Sequence, residues 1–283
     1  MKPRYNFSTP RTKRKLSRVL VPFFVGIIII GIYGIVSMKA SDEKKALANA
    51  GVLHYPDLEI AKVAPSTPSQ IKEYKGFTLS FNKLNKTPNW VGWELLASEL
   101  NGKTPRSNKF WTDADITGCP TTYDYRKSEF DRGHMSPAAE HKWDSKAMND
   151  SFSLANICPQ NHALNTGAWN RLEEMERRWA NRDSAIIIVA GPIYQNSDTK
   201  TIGENRVRVP SAFYKVIIAP YVANPRGIGF IFPNMSSPGS YLNYAMTIDE
   251  IEKITGIDFF SSLPDSLENA IESNIDAKEW SRR

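Results

Sequence analysis

The apolar positions of this 283-residue chain fall into runs of different period, and each period predicts a different element. Val19 to Val36 holds 18 residues without a charge. As a helix that run would extend about 27 Å, close to the hydrocarbon thickness of a bilayer. Residues 41–75, including Ala64-Pro-Ser-Thr-Pro-Ser69, are polar and proline-spaced and read as a connector, so order is expected to begin near Gly76. Phe77-Thr-Leu-Ser-Phe81 alternates with period two, and Trp90 to Leu96 is strand-like, which predicts an early antiparallel pair. Ala185 to Ala190 reads as a fully buried strand ended by Gly191-Pro192, with further strands at Ala212–Ala219 and Ile228–Phe232. Between these strand runs the period changes to that of a helix beginning near Asn165. Ala168, Leu172, Met175 and Trp179 gather within about 60° of its circumference as a core stripe. Glu173 and Arg177 project one turn apart from another flank. Thr247-Ile-Asp-Glu250 is a capping-box start for a later helix that Gly256 should stop. Strands on both sides of one helix, with another helix near the end, predict an α+β domain around a mixed, central antiparallel sheet.

Composition changes this picture mainly through charge. The net charge is +6, but residues 1–18 contain seven Lys and Arg and no acid, so residues 19–283 together carry −1. Affinity for phosphate must therefore come from local placement of basic groups and a metal rather than from the field of the whole domain. The seven bases precede the uncharged run, so the positive-inside rule predicts a single-pass inner-membrane anchor at 19–36 whose C-terminal domain faces the periplasm or cell envelope. A cleaved signal peptide is the closer rival, although Ser37-Met-Lys-Ala40 is a poor cleavage site. An Arg-rich, acid-free leader also allows the mitochondrial inner membrane. The expected organisation is a basic tail at 1–18, the anchor at 19–36, a linker at 37–73, the main domain at 74–270 and a tail at 271–283. Cys119 and Cys158 could pair in an oxidising compartment or stand as separate thiols, and neither lies in a Cys-x-x-Cys metal pair.

The chemistry is concentrated in Asp131-Arg132-Gly133-His134. A neutral histidine can take a proton from water near pH 7, which predicts activity rising through an ordinary imidazole pKa. A neighbouring arginine can hold phosphate through two hydrogen bonds. On spacing alone, Asn165 reads equally as a helix N-cap, and Glu173 with Arg177 as an i,i+4 ion pair.

The stretches Asp131–Pro137, Ser153–Gln160 and Leu164–Glu173 resemble the DNA/RNA non-specific endonucleases, a family that includes secreted bacterial nucleases and mitochondrial endonuclease G. Arg106-Ser-Asn-Lys-Phe110, Asp124-Tyr125, Val209–Lys215 and Thr255–Phe260 are similar to family segments as well, so the likeness spans roughly residues 74–270. It implies a ββα-metal finger at the active site. It also assigns roles: His134 as general base, Arg132 and Arg106 as phosphate-holding groups, and Asn156 as the residue positioning the histidine. Asn165 would be the one protein ligand of a Mg²⁺ that Mn²⁺ could replace, Glu173 the acid orienting its waters, and Arg177 a further active-site arginine. The implied activity is sequence- and sugar-non-specific cleavage of DNA and RNA to 5′-phosphate products, with a homodimer as a further partner expectation. Two rivals remain: a membrane-tethered phosphodiesterase for small diesters, and an inactive nucleic-acid-binding scaffold.

Overall fold

The computed structural model describes residues 55–281 other than 196 and 198. The basic tail, the uncharged run at 19–36 and the first part of the expected linker lie outside these residues. Among the described residues no helix is long and apolar enough to cross a membrane.

In chain order the strands are β1 (Gln70–Glu73), β2 (Thr78–Asn82), β3 (Thr87–Leu96), β4 (Phe130–His134) and β5 (Ile157–Asn161). They continue with β6 (Ala185–Ile193), β7 (Thr201–Ile202), β8 (Val207–Arg208), β9 (Ala212–Ala219), β10 (Arg226–Pro233) and β11 (Ala245–Met246). The helices are α1 (Ser145–Ser151), α2 (His162–Leu164), α3 (Asn170–Asp183), α4 (Ile248–Thr255), α5 (Asp265–Glu272) and α6 (Ala277–Ser281). Among the described residues β1-β2-β3-β6-β9-β10-β11 form one sheet, antiparallel throughout, while β4-β5 and β7-β8 are separate hairpins. The α+β architecture and the antiparallel sheet are those expected from the sequence.

Both faces of this sheet are covered, which is why its central strands read as continuous apolar runs rather than alternating ones. On one face Trp93, Ile188, Phe213, Ile217, Phe230 and Phe232 pack in a single core with Leu172 and Trp179 of α3 and with Trp169 just before it. Trp169 meets the rings of Phe213 and Phe232 at 5.7 and 6.1 Å. The opposite face carries α4 and α5. A Cβ at Gly227 would meet Ile248 and Ile271, one at Gly229 would meet Ile251, and Tyr214 contacts the Phe259 ring at 5.4 Å.

The folded unit is longer at both ends than the pattern of residues 74–270 predicted. Leu58 and Ala61 are buried, Lys62 pairs through its backbone with Asp258, and β1 extends the sheet past β2. Gly92 lets this early segment cross β3, since a Cβ there would lie 1.9 Å from the Glu59 carbonyl oxygen. At the other end Trp280 is fully buried. It donates from Nε1 to Gly227 O (3.1 Å) and accepts Trp179 Nε1–H at its carbonyl oxygen (3.0 Å). A polar edge strand and a single anchoring tryptophan leave too little periodicity to be read as structure. Cys119 and Cys158 are separate thiols. Burial pushes Cys119 up to about 12 and Cys158 well above its ordinary value, so neither is poised as a thiolate.

Candidate active site

The β4–β5 hairpin pairs Phe130 with Asn161 and His134 with Ile157, and the chain then turns directly into α2. Asn161 caps that turn, its Oδ1 accepting the N–H groups of Ala163 and Leu164 at 3.0 and 3.4 Å. Asn234 ties the hairpin to the main sheet: its Oδ1 accepts Asn161 N–H (2.7 Å), and its Nδ2 donates to the carbonyls of Pro159 (3.1 Å) and Pro210 (2.9 Å). Gly133 is required by close approach, because a Cβ there would lie 2.3 Å from Gln160 Oε1. The result is a ββα unit in which His134 ends one strand and Asn165 follows the first helical turn.

His134 is 9% exposed and its Nε2 has no hydrogen-bond partner among the described residues. Its ring sits between Phe110 and Phe152, at centroid distances of 5.4 and 5.0 Å. Each of those phenylalanines carries an arginine. The Arg132 guanidinium lies 4.3 Å from the Phe110 ring, and that of Arg106 lies 5.0 Å from the Phe152 ring. Burial, then the positive field of Arg106, lowers the His134 pKa to about 3. The imidazole is therefore neutral at pH 7, and the titration expected at an ordinary imidazole value is displaced to acid. Asn156 acts one step away from the ring. Its Oδ1 accepts Ser136 N–H, and its Nδ2 donates to the carbonyls of Ser136 and Ser151, all at 2.9 Å, fixing the turn that follows His134. His141 donates to or accepts from Ser136 Oγ in the interior, and His162 lies 2.8 Å from Asp131 on the surface, so neither has the setting of His134.

Asn165 is not an N-cap. Its Nδ2 donates to Asp131 Oδ2 (2.9 Å), which fixes the amide and leaves Oδ1 without a hydrogen bond among the described residues. Asp131 is thus the residue that orients Asn165. The helix then breaks at Gly167 (φ −104°, ψ −108°) before α3 begins, so Asn165 and Glu173 belong to two segments rather than one continuous helix. Glu173 is half-buried. Burial raises its pKa to about 7, with Lys215, Arg177 and Arg106 acting in the opposite sense. Arg177 does not close an ion pair with Glu173; its Nη1 lies 3.6 Å from Glu140 Oε1. An amide oxygen and a half-buried carboxylate are hard donors of the kind a divalent cation keeping several waters would use.

A family profile described as DNA/RNA non-specific endonuclease matches residues 57–266. The chain belongs to that family. Mouse mitochondrial nuclease EXOG is 32% identical over 243 residues, covering 74% of this chain and 66% of its own length, just short of two thirds. Human mitochondrial endonuclease G is 30% identical over 220 residues, covering 72% and 74%. A nuclease of the cyanobacterium Nostoc is 28% identical over 228 residues, covering 76% and 81%. Among solved structures, a chain of the EndoG/EndoGI complex superposes with a TM-score of 0.64 at 29% identity, over 71% of this chain and 90% of that one.

Beneath the candidate site of this member of the DNA/RNA non-specific endonuclease family lies a buried ionic cluster that its sequence motifs do not reveal. Lys215 of β9 is fully buried between Glu176 of α3, 3.0 Å from its Nζ, and the faces of Trp169 and Trp93 at 4.4 and 5.7 Å. Glu140 accepts Trp93 Nε1–H at 2.8 Å. Burial, reinforced by the neighbouring Glu176, pushes the Glu140 carboxyl well above its ordinary value, and burial raises Glu176 as well, with Lys215 acting in the opposite sense. Phe110 was visible only as the end of a family segment, and Phe152, Glu140 and Glu176 carry no local signal because their partners are distant in sequence.

Proposed function

We propose that the chain is a metal-dependent, sequence- and sugar-non-specific endonuclease that hydrolyses DNA and RNA phosphodiesters to 5′-phosphate products, with His134 as general base. The observation that carries this reading is a neutral, buried imidazole with an unpartnered Nε2, flanked by two arginines stacked on the phenylalanines that hold it. His134 takes the proton of the attacking water through Nε2. Arg132 and Arg106 hold the scissile phosphate and meet the negative charge that develops on it. Asn156 keeps the imidazole aimed by fixing Ser136, and Asp131 keeps the Asn165 amide aimed. Asn165 would hold a Mg²⁺ or Mn²⁺ ion through Oδ1, Glu173 would orient its water shell, and Arg177 would temper the charge beside Glu173. When bound, such an ion supplies Lewis-acid stabilisation of charge on the phosphate and leaving oxygen. Contacts confined to phosphate and metal read no base edges, in keeping with non-specific cleavage.

The uncharged run at 19–36 and the charge asymmetry around it support an anchored enzyme whose residues 37–283 lie outside the cytoplasm, in a bacterial envelope or, as for the relatives named mitochondrial, in that organelle. Reporter fusions at the C-terminus that work only in the cytoplasm would contradict this placement.

The activity is tested with the purified chain on closed circular plasmid and on single-stranded RNA, with Mg²⁺ or EDTA. Nicking of plasmid and loss of RNA, both requiring metal and both abolished by His134→Ala, are expected. A folded enzyme that cleaves bis(p-nitrophenyl) phosphate but no polynucleotide would instead make it a small-diester hydrolase.

A further inference from the structure

On the sheet face opposite His134, α4 and α5 meet over Gly227 and Gly229 of β10. Asp249 and Glu252 lie about one turn apart on α4, and Glu272 ends α5. One carboxylate oxygen from each lies within 4.8 Å of the others. Asp258 and Glu268 add their negative field to Glu272. Counter-charge is scarce: exposed Lys62 stands 3.9 Å from Asp258, and no ion pair among the described residues reaches Glu272.

An acidic cluster of this kind would ordinarily be a solvated patch, and Glu272 is what sets it apart. It is 4% exposed, its Oε1 is buried with no hydrogen-bond partner among the described residues, and one of its carboxylate oxygens belongs to the group formed with Asp249 and Glu252. A buried carboxylate with neither donor nor cation is strongly disfavoured, so this carboxyl must either keep its proton or receive a cation. Burial and the surrounding acids push it up to about 9. Glu252, by contrast, is already oriented: its Oε1 accepts Phe259 N–H at 2.8 Å.

We propose that Asp249, Glu252 and Glu272 form a second divalent-cation site, of calcium-binding chemistry, that clamps α4 to α5 on the face away from the catalytic hairpin. The donors are all carboxylate oxygens, with no nitrogen or sulfur to favour zinc or copper. Calcium takes six to eight oxygens at flexible geometry and completes its shell with carbonyls and water, which suits three carboxylates on two packed helices. A bound ion would neutralise Glu272 in place of a proton and join two short helices whose other link is apolar packing on β10. Its role is structural and separate from the metal proposed at Asn165.

The test is thermal unfolding and calorimetric titration of the full chain with CaCl₂ in the absence of Mg²⁺. Wild type, Asn165→Ala, Glu272→Gln and Asp249→Asn are compared. At a calcium concentration ten times Kd, wild type and Asn165→Ala should both gain about 3–6 °C in Tm. Glu272→Gln and Asp249→Asn should lose that gain while keeping Mg²⁺-dependent nuclease activity. Asp249 lies at the rim of the cluster, so its variant decides the matter even if Glu272→Gln does not fold. A shift lost in Asn165→Ala but kept in the other two variants would place calcium at the catalytic hairpin and overturn the proposal. Absence of a shift in wild type would also overturn it and leave Glu272 as a buried, protonated acid.

Discussion

At the scale of single residues, His134 owes its protonation state to packing rather than to its own chemistry. Phe110, Phe152 and two arginines disfavour the imidazolium, so the folded pKa lies near 3, below the ordinary value. Between about pH 5 and 8 the base is then neutral throughout. The kcat/KM profile at saturating Mg²⁺ should show no acid limb from His134 near 6.5, in contrast to the rise expected of an unperturbed histidine, and a limb near 7 belongs to Glu173 and should vanish in Glu173→Gln. The sign is that of a depressed base: catalytic competence is lost only as pH falls toward the folded value. A limb centred near 6.5 that disappears in His134→Asn would refute the packing argument. His134→Ala should lower kcat by about 10²–10⁴-fold with little change in fold. Arg132 and His134 were legible as candidates because they lie in one short motif, whereas Asn165, in the separate stretch Leu164–Glu173, was a candidate only through the resemblance. Lys215 was not legible, since a lysine in the run Ala212–Ala219 has no local partner and Glu176 is 39 positions away. Lys215→Met removes the only cation among the described residues that faces Glu176 within hydrogen-bond distance. Breaking a buried pair from one side should cost about 3–5 kcal/mol, and Glu176→Gln in the same chain should recover part of it in urea unfolding.

At the scale of elements, local chemistry was read correctly where a cap or a continuous run specifies it. Thr247 and Glu250 close the predicted capping box on α4, and Gly256 ends that helix in the left-handed region at φ 67°. A Cβ at Gly256 would meet nothing within 4 Å, so Gly256→Ala isolates backbone strain from crowding. It should cost about 1 kcal/mol, visible as a lower urea midpoint with an unchanged slope, whereas a neutral effect would mean the turn relaxes. Other boundaries escaped the pattern for identifiable reasons. β6 runs through Gly191-Pro192 to Ile193, although that pair was expected to end it. β3 pairs only as far as Ala190, so Pro192 faces no donor-requiring neighbour on that side and its missing N–H costs no ladder bond. The kink at Gly167 was hidden because the apolar stripe of Ala168, Leu172, Met175 and Trp179 keeps its helical period on the C-terminal side of the break. The break still matters for function, because it separates the segment fixed to Asp131 from the helix that carries Glu173 and packs on the sheet.

At the scale of the whole molecule, the uneven charge sets how the proposed endonuclease would hold nucleic acid. The seven bases of residues 1–18 account for more than the entire net charge of +6, and the remainder is slightly acidic. A substrate meeting the folded domain therefore feels no general positive field. In the proposed function it is held by the few cations gathered at the hairpin, chiefly Arg132 and Arg106, with Arg177 partly spent on Glu140. Each phosphate neutralised on duplex DNA contributes about −0.9 to the slope of log affinity against log salt. Two or three such contacts give a slope of about −2 to −3. Binding should then weaken by roughly 15- to 60-fold between 50 and 200 mM salt. The measurement is fluorescence anisotropy of a labelled duplex with His134→Ala, a variant that keeps the arginines but does not cut. Residues 1–18 must be removed or neutralised in a parallel sample, since their seven charges could bind DNA by themselves. Arg132→Ala should flatten the slope by about one unit. A slope steeper than about −5 in the sample without the basic tail would require a second basic surface, and the hairpin arginines would no longer account for substrate capture.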